Sequence, residues 1–308
     1  MASALSAAHL HNEEAAFAYV EARIWPQGPV CAHCGGYDRI GKMGGKSTRL
    51  GLYKCYQCRK AFTVRMGTIF ESSHVPLHIW LQAICLIAGS KKGISSNQLH
   101  RTLGVTLKTA WFMSHRIREA MRDGNLGIFG GEGSDVQADQ TYFGNLDGVI
   151  KAPRAGGFAH KMRIVSLLDK STGQTRSFYA PSRGAGEVAQ IVRDNVDRES
   201  TLVTDESRYY WRVGKEFANH VRVFHGGGNY VKDGKTTNDI EGFFSIFKRG
   251  MRGVYQFCNE KHLHRYLAEF DFRYSNRVAL GYNDADRADI LLSGIVGKRL
   301  TYQTASAK

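Results

Sequence analysis

The chain has 308 residues, with 42 Lys and Arg against 28 Asp and Glu, which gives a formal net charge of +14 and a pI of about 9.6. This length allows two or three domains with buried cores, and the lack of an apolar run of about 18 residues argues against a transmembrane helix. The positive charge is typical of a protein with a polyanionic partner such as DNA, although a basic protein without such a partner has the same composition.

Residues 1–72 are predicted to form a helix followed by a zinc ribbon. Residues 13–25 carry apolar side chains along one side of a helix, and Pro26 and Gly28 end it. Two CxxC motifs follow, separated by twenty residues, and this pattern is a strong signal for a closed tetrahedral Zn²⁺ site that stabilises the fold. The four predicted ligands are Cys31, Cys34, Cys55 and Cys58. Disulfides are disfavoured in a reducing cytoplasm, and His33, inside the first motif, is interpreted as a bystander.

Residues 73–125 are predicted to form a helical domain, in which Gly93 interrupts the first apolar stripe. A short helix then begins near Ser95 and ends at Gly104, and Thr106 is predicted to cap a third helix. Helix, glycine turn and helix form a pattern typical of a helix-turn-helix DNA reader and, equally, of a plain helical hairpin. The basic residues of the third helix that we expect to contact DNA are Lys108, Arg116 and Arg118.

Residues 133–283 follow a glycine-rich joint and are predicted to form an α/β domain with a mixed sheet. Three strands come first and are expected to pair antiparallel. The predicted strands are 136–142, 162–168, 174–180, 201–204 and 221–224. The predicted helices are 185–196, 208–218, one that follows Asp239, and 262–277. Residues 284–308 show no clear pattern and are predicted to be a tail.

Three acidic residues lie where the predicted elements can bring them together. Asp139 is in the first strand of this domain, Asp205 follows the fourth, and Glu241 lies near the start of the helix that follows Asp239. Three carboxylates can hold a pair of Mg²⁺ or Mn²⁺ ions, which prefer oxygen ligands and support phosphoryl transfer. Taken singly, each acid also has a structural explanation. Asn238 and Glu241 have the spacing of a helix N-cap and its capping box, Asp205 has the position of a residue that caps a turn, and Asp139 has that of a solvated acid on a strand.

The order of these motifs resembles that of bacterial insertion-sequence transposases of the DDE superfamily, in the ISXO-type group with an N-terminal zinc ribbon and an RNase H-like catalytic domain. The segments that carry the resemblance are 136–144, 203–206, 237–250 and 266–273. It implies metal-dependent cleavage of DNA at element ends and strand transfer into target DNA, with two Mg²⁺ or Mn²⁺ ions held by Asp139, Asp205 and Glu241. Some members of this group have Asn as the third ligand, so Asn238 stays an alternative. Gln140 departs from the family pattern, in which Glu often occupies this position.

Basic residues near the three acids are further candidates for DNA contact. Lys248 lies two helical turns after Glu241 on the same helix face, and the resemblance implies that it contacts a substrate phosphate. The other candidates in this domain are Lys161, Arg163, His225 and Arg249. The expected partners are double-stranded DNA, both the element's terminal inverted repeats and its target, and further copies of this chain.

Two other functions stay open at this point. A regulator built from a zinc ribbon and a helix-turn-helix would bind DNA without needing the acids. A metal-dependent nuclease would keep the acids and lack strand transfer. Residues 1–11 lack the charged start and apolar core of a signal peptide, so we expect a cytoplasmic protein without a membrane partner.

Overall fold

The computed structural model describes residues 4–122, 127–149, 157–182, 184–224 and 231–301. The chain forms two compact units. The first unit comprises Met1–Ser90, Ile94–Arg122 and Tyr282–Lys308, and the second unit comprises Lys91–Gly93 and Asp123–Gly281. The helices and strands, in chain order, are α1 (Glu13–Ile24), β1 (Ile40–Lys42), β2 (Tyr53–Cys55), β3 (Ala61–Phe62), α2 (Leu77–Gly89), α3 (Ser96–Leu103), α4 (Leu107–Met121), β4 (Asp135–Phe143), β5 (Met162–Asp169), β6 (Thr175–Tyr179), α5 (Ala185–Asn195), β7 (Thr201–Thr204), β8 (Asn219–Arg222), α6 (Asn238–Gly250), α7 (Leu263–Ser275) and α8 (Asp284–Ser293).

The first unit begins with α1 and a small antiparallel sheet in the order β1-β2-β3. The Asn12 side chain caps α1 by accepting a hydrogen bond from the Ala15 N–H at 2.8 Å. Tyr53 and Phe62 pack edge-on against Trp25, which directly follows α1. The strands are only two or three residues long, so the core of this predicted zinc ribbon is small.

The ends of α3 and α4 follow the local signals in the sequence. The Ser95 hydroxyl caps α3 by accepting from the Gln98 N–H at 3.1 Å, and Gly104 ends that helix in the left-handed conformation with φ 67°. The Thr106 hydroxyl caps α4 by accepting from the Thr109 N–H at 3.1 Å. Most of α4 from Met113 onward is buried, which favours a packed helical hairpin over a helix that enters a DNA groove along its length.

Residues 284–308, predicted to be a tail, contain helix α8. Asn283 caps α8, and Asp286 completes a capping box with it. Arg287 is buried and donates to the Ala88 carbonyl oxygen at 3.0 Å. The sequence pattern of α8 is short and mixed, so its helical state depends on packing against α2 in the same unit.

The second unit is built on a five-stranded sheet in the order β6-β5-β4-β7-β8. Strands β4, β5 and β6 pair antiparallel, whereas β7 and β8 run parallel to β4. This mixed sheet is the RNase H-like arrangement that the sequence predicted. The predicted helix at 208–218 is instead two short 3-10 turns, Arg208–Tyr210 and Val213–Glu216.

Successive side chains of β4 point to opposite faces of the sheet and belong to two separate hydrophobic cores. Val136 and Ala138 pack with Val188 and Val192 of α5 on one face of the sheet. The opposite face is covered by aromatic residues of α6 and α7, among them Phe247. Since successive strand residues point to opposite faces, the odd-numbered positions of β4 point towards α6. Among the described residues, no helix combines the length and the apolar character needed to cross a membrane.

Candidate functional site

The parallel pairing of β4 with β7 brings Asp139 and Asp205 to adjacent positions. Ala138 and Thr204 are register partners, and each is followed directly by one of the two acids. Adjacent strands lie about 4.8 Å apart, so the backbones that carry Asp139 and Asp205 are neighbours although 65 residues separate them in the sequence. The sheet therefore supplies two of the three predicted metal ligands at the end of β7.

The electrostatics of Asp139 link it to both other acids. Burial, followed by the negative charge of Asp205, raises the pKa of the Asp139 carboxyl to about 7, and Glu241 contributes in the same direction. The Gln140 N–H, which donates to Asp139 Oδ1 at 2.6 Å, and the positive charge of Lys248 oppose this rise. A divalent cation would offset the repulsion between these carboxylates, and carboxylate oxygens are ligands that hard divalent ions prefer.

Helix α6 is attached to β4 by Gln137, a residue that sequence analysis missed. Gln137 is 1% exposed and lies two residues before Asp139, on the same face of the strand. Its amide donates to the Thr236 carbonyl oxygen at 2.7 Å and to Asp239 Oδ2 at 2.9 Å, and its Oε1 accepts from the Ile240 N–H at 3.0 Å. These bonds fix the start of the helix that carries Glu241. The only sequence signal for the role of Gln137 is that this polar residue lies two positions before Asp139, on the same face of the predicted strand.

Replacing Gln137 by alanine is expected to reduce both stability and activity. The change leaves buried polar backbone groups at the start of α6 without a partner, which costs about 1–3 kcal/mol in the free energy of unfolding. It also frees Glu241 to move relative to Asp139, so DNA cleavage is expected to fall. Urea unfolding and a cleavage assay test both effects. Gln190→Ala, which removes an exposed glutamine from α5, is the control, and wild-type behaviour of Gln137→Ala would exclude the anchoring role.

The prediction that Asn238 is the N-cap of α6 is wrong. The N-cap residue is Thr237, and Asn238 is the first residue of the helix, exposed to solvent. The Thr237 hydroxyl donates to Glu241 Oε1 at 3.1 Å, so the bond that orients Glu241 comes from the residue before Asn238. Asp239 in the same turn accepts from Lys170 at 2.6 Å. Burial alone would raise the pKa of Asp239, but its hydrogen bonds from Lys170 and Gln137 hold it below its ordinary value.

Gln140, the residue that departs from the family pattern, links β4 to the turn after β7. Its Nε2 donates to the Ser207 hydroxyl oxygen at 2.9 Å, and the Ser207 N–H donates to Asp205 Oδ1 at 3.0 Å. Its own N–H donates to Asp139. A neutral amide is thus sufficient to connect the segments that carry the two aspartates.

Lys248 lies close to Asp139 and to two further cations, Arg252 and Lys161. Burial and the charge of Arg252 lower the pKa of Lys248, the charge of Asp139 opposes this effect, and Lys161 adds to it. Lys161 and Lys248 are half-buried. Arg249 is exposed on the next position of α6, where it donates to the Ser245 hydroxyl at 2.9 Å. Lys161, Lys248 and Arg252 thus form a positively charged group, of which Lys248 is the member that interacts with Asp139.

Three arginines that we expected to contact DNA are instead buried. Arg116 donates to the carbonyl oxygens of Ile69 and Glu71, both at 2.7 Å. Arg118 donates to the Ser114 hydroxyl at 3.1 Å, and Arg163 donates to the Gly184 carbonyl oxygen at 3.2 Å.

The prediction that these three arginines contact DNA is wrong, because their guanidinium groups hold the protein's own chain together. Lys108, in the first turn of α4, is exposed. His225 lies outside the described residues.

The four cysteines of the CxxC motifs converge in the first unit. Their sulfur atoms all lie within 4.8 Å of one another, and the Cys31–Cys58 and Cys34–Cys55 pairs of Sγ atoms are both 3.7 Å apart. A tetrahedral ion with Zn–S bonds of about 2.3 Å separates its sulfur ligands by about 3.8 Å. The donor set and its spacing therefore fit a zinc ion, and His33 is directed instead to the Ala61 carbonyl oxygen.

Comparison with known proteins agrees with this division into a metal-binding and a catalytic part. Residues 131–275 match the ISXO2-like transposase domain family, and residues 11–61 match the transposase zinc-ribbon domain family. An uncharacterized protein in transposable element ISH50 of Halobacterium salinarum (strain ATCC 700922 / JCM 11081 / NRC-1) is 24% identical over 265 residues, which cover 81% of this chain and 86% of the relative.

Two solved structures are more distantly similar to this chain. The simian T-cell lymphotropic virus intasome in complex with PP2A regulatory subunit B56 gamma matches at 13% identity and a TM-score of 0.29, over 56% of this chain and 63% of that one. The Mos1 strand transfer complex matches at 11% identity and a TM-score of 0.19, over 65% of this chain and 76% of that one. The fold assignment rests on the strand order, since likenesses at these TM-scores add no weight.

The four-cysteine ribbon of the first unit is therefore a transposase zinc ribbon, and the mixed RNase H-like sheet of the second unit lies in a transposase domain. The chain is thus a DDE-type transposase, in which residues 131–275 match the ISXO2-like transposase domain and residues 11–61 match the transposase zinc ribbon.

Proposed function

We propose that this transposase cleaves a phosphodiester bond at each end of its DNA element and joins the freed 3′-hydroxyl to target DNA, using two Mg²⁺ or Mn²⁺ ions. The observation that carries the proposal is the parallel register of β4 with β7, which places Asp139 beside Asp205 at adjacent strand positions, with Glu241 close enough for its charge to raise the pKa of Asp139. Three carboxylates that are distant in sequence thus interact electrostatically, and bound cations would offset the repulsion between them.

In this proposal each residue near the site has a defined task. Asp139, Asp205 and Glu241 hold the ions, and Lys248 binds the phosphate oxygens of the DNA strand. Two bound divalent ions supply activation of the attacking hydroxyl and stabilisation of the leaving oxygen. Gln137 keeps Glu241 in position through its bonds to the start of α6. Gln140 keeps in position the turn after β7 that carries Asp205.

The remaining assignments concern partners. We propose that the exposed or half-buried cations Lys108, Lys161 and Arg249 bind the DNA backbone, and that a structural Zn²⁺ occupies the four-cysteine site. An element has two ends that must be processed together, so we also propose that copies of this chain assemble on double-stranded DNA.

The decisive experiment uses the DNA that flanks the gene of this protein. Labelled fragments that contain the element ends are incubated with the protein and Mg²⁺ or Mn²⁺, and nicked products are resolved on a denaturing gel. A second assay supplies a pre-cleaved end with a 3′-hydroxyl and measures its joining to a plasmid. Cleavage with joining is expected. Binding without cleavage would indicate a regulator, and cleavage without joining would indicate a nuclease.

The identity of the third ligand can be tested by comparing two exposed residues of α6. Glu241→Gln is expected to lose cleavage, because it removes a charged ligand. Asn238→Ala is expected to keep cleavage and to change the free energy of unfolding by less than about 0.5 kcal/mol, because Asn238 is exposed and Thr237 is the N-cap. Both variants are measured in the cleavage assay and in urea unfolding. Loss of cleavage in Asn238→Ala with retention in Glu241→Gln would reverse the assignment.

A further inference from the structure

Two exposed aromatic rings alternate with cations at one end of the sheet in the second unit. Trp211 is 44% exposed and Phe224 is 45% exposed. The guanidinium carbon of Arg222 lies 5.5 Å from the centroid of the Trp211 ring and 5.9 Å from that of Phe224. Arg208 flanks the outer side of Trp211 at 5.6 Å, and Lys232 flanks Phe224 at 5.8 Å. We call these five residues the aromatic–cationic surface.

This surface is linked to the carboxylates through β8 and through Tyr210. Arg222 is the last residue of β8 and the register partner of Thr204, which directly precedes Asp205. Trp211 follows Tyr210, whose side chain is fully buried and close enough to Asp139 and Asp205 for their charges to raise its pKa. The backbone of Arg222 thus lies about one strand spacing from that of Thr204, the residue before Asp205.

We propose that the aromatic–cationic surface binds an unpaired nucleotide of the DNA strand, with the base stacked on Trp211 or Phe224 and the phosphate held by the cations. Every base has a π-face that stacks on aromatic side chains, and arginine adds a cation–π contribution. The inference rests on the proposed function and deepens it, because it implies that strand separation accompanies binding beside the bond to be cleaved.

The charges select this ligand over the alternatives. An apolar protein partner would cover three cations without supplying negative charge, which is costly. A fully paired duplex supplies phosphates, but its base faces are stacked on one another and cannot reach the rings. Only an unpaired nucleotide brings both an accessible base face and a phosphate to the same place.

The test compares binding of two DNA probes without divalent metal, so that no cleavage is required. One probe is a short blunt duplex, and the other is the same duplex with an unpaired oligothymidine extension. The native chain is expected to prefer the extended probe. At least one of the variants Trp211→Ala and Phe224→Ala is expected to reduce that preference by about 5- to 150-fold, the range expected from alanine substitution of an aromatic that stacks on a base. Trp211→Phe is expected to keep most of it.

The matched control is Phe257→Ala, which removes an aromatic ring that is 74% exposed in the same unit and outside this surface. This variant is expected to keep the native preference. A native preference in both Trp211→Ala and Phe224→Ala, or an equal loss in Phe257→Ala, would overturn the inference. Using the ratio between two probes makes the result independent of the fraction of folded protein.

The result of this binding test can be distinguished from the result of the cleavage and joining assays. A chain that prefers the extended probe through Trp211 and does not cleave element ends would support the binding surface and contradict the proposed reaction. A chain that cleaves and joins element ends with no contribution from Trp211 or Phe224 would contradict the binding surface alone.

Discussion

Asp205→Ala is expected to abolish DNA cleavage and joining while DNA binding is retained or strengthened. Loss of one carboxylate removes a ligand from the proposed ion pair, and metal ions contribute several kcal/mol of transition-state stabilisation. The rate of cleavage should therefore fall by about a thousandfold or more. Binding should not weaken, because the variant removes a negative charge close to the position of the DNA phosphate.

Stability provides a second readout for the same variant. The charge of Asp205 raises the pKa of Asp139, so its removal relieves repulsion and should leave the metal-free protein as stable as the native chain or slightly more stable. Glu206→Ala, which removes the same charge from the next, exposed position, should keep its activity. Native cleavage by Asp205→Ala would exclude Asp205 from the catalytic site.

Removal of zinc is expected to unfold the ribbon and to leave the second unit folded. The three ribbon strands have only two or three residues each, and their core is centred on Trp25, Tyr53 and Phe62. Such a core is too small to fold without a covalent or metal link. Structural zinc supplies an apparent binding free energy of about 10–16 kcal/mol in small zinc-finger peptides, and this binding energy drives their folding.

Metal analysis and hydrogen exchange together test this expectation. Protein purified without added zinc should contain one zinc per chain, and chelation should remove protection from residues up to about Arg65 while strands β4 to β8 remain protected. Cys55→Ser should lower the zinc content, whereas Cys85→Ser, outside the four-cysteine cluster, should not. Zinc-free protein with an ordered ribbon would rule out a structural ion.

Much of the fold was predictable because its signals are local. The CxxC spacing identified the four cysteines that converge, and Ser95, Gly104 and Thr106 marked helix ends that depend on bonds within three or four residues. The strands of the second unit were visible as apolar runs between turns. The three acids were identifiable as a set by their positions on those elements, and their role as metal ligands stays a prediction.

Other features were decided only by packing between distant segments. Arg116 and Arg163 have the sequence context of exposed cations, yet they are buried against carbonyl oxygens that lie far away along the chain or on a neighbouring turn. An arginine on an amphipathic helix or strand looks the same in sequence whether its partner is a phosphate or a carbonyl. Helix α8 was missed for a related reason, because its short mixed pattern becomes helical through contacts with α2.

The sequence alone therefore determined which residues can act, and the tertiary structure decided which of them meet. Gln137 and Ile240 are 103 residues apart and are joined by a hydrogen bond at the start of α6. Trp211 and Arg222 come together because the turns after β7 lead into β8, and no periodicity predicts that contact. Periodicity and capping act over a few residues, whereas strand register and burial depend on the whole chain, so only the folded sheet shows how the site is assembled.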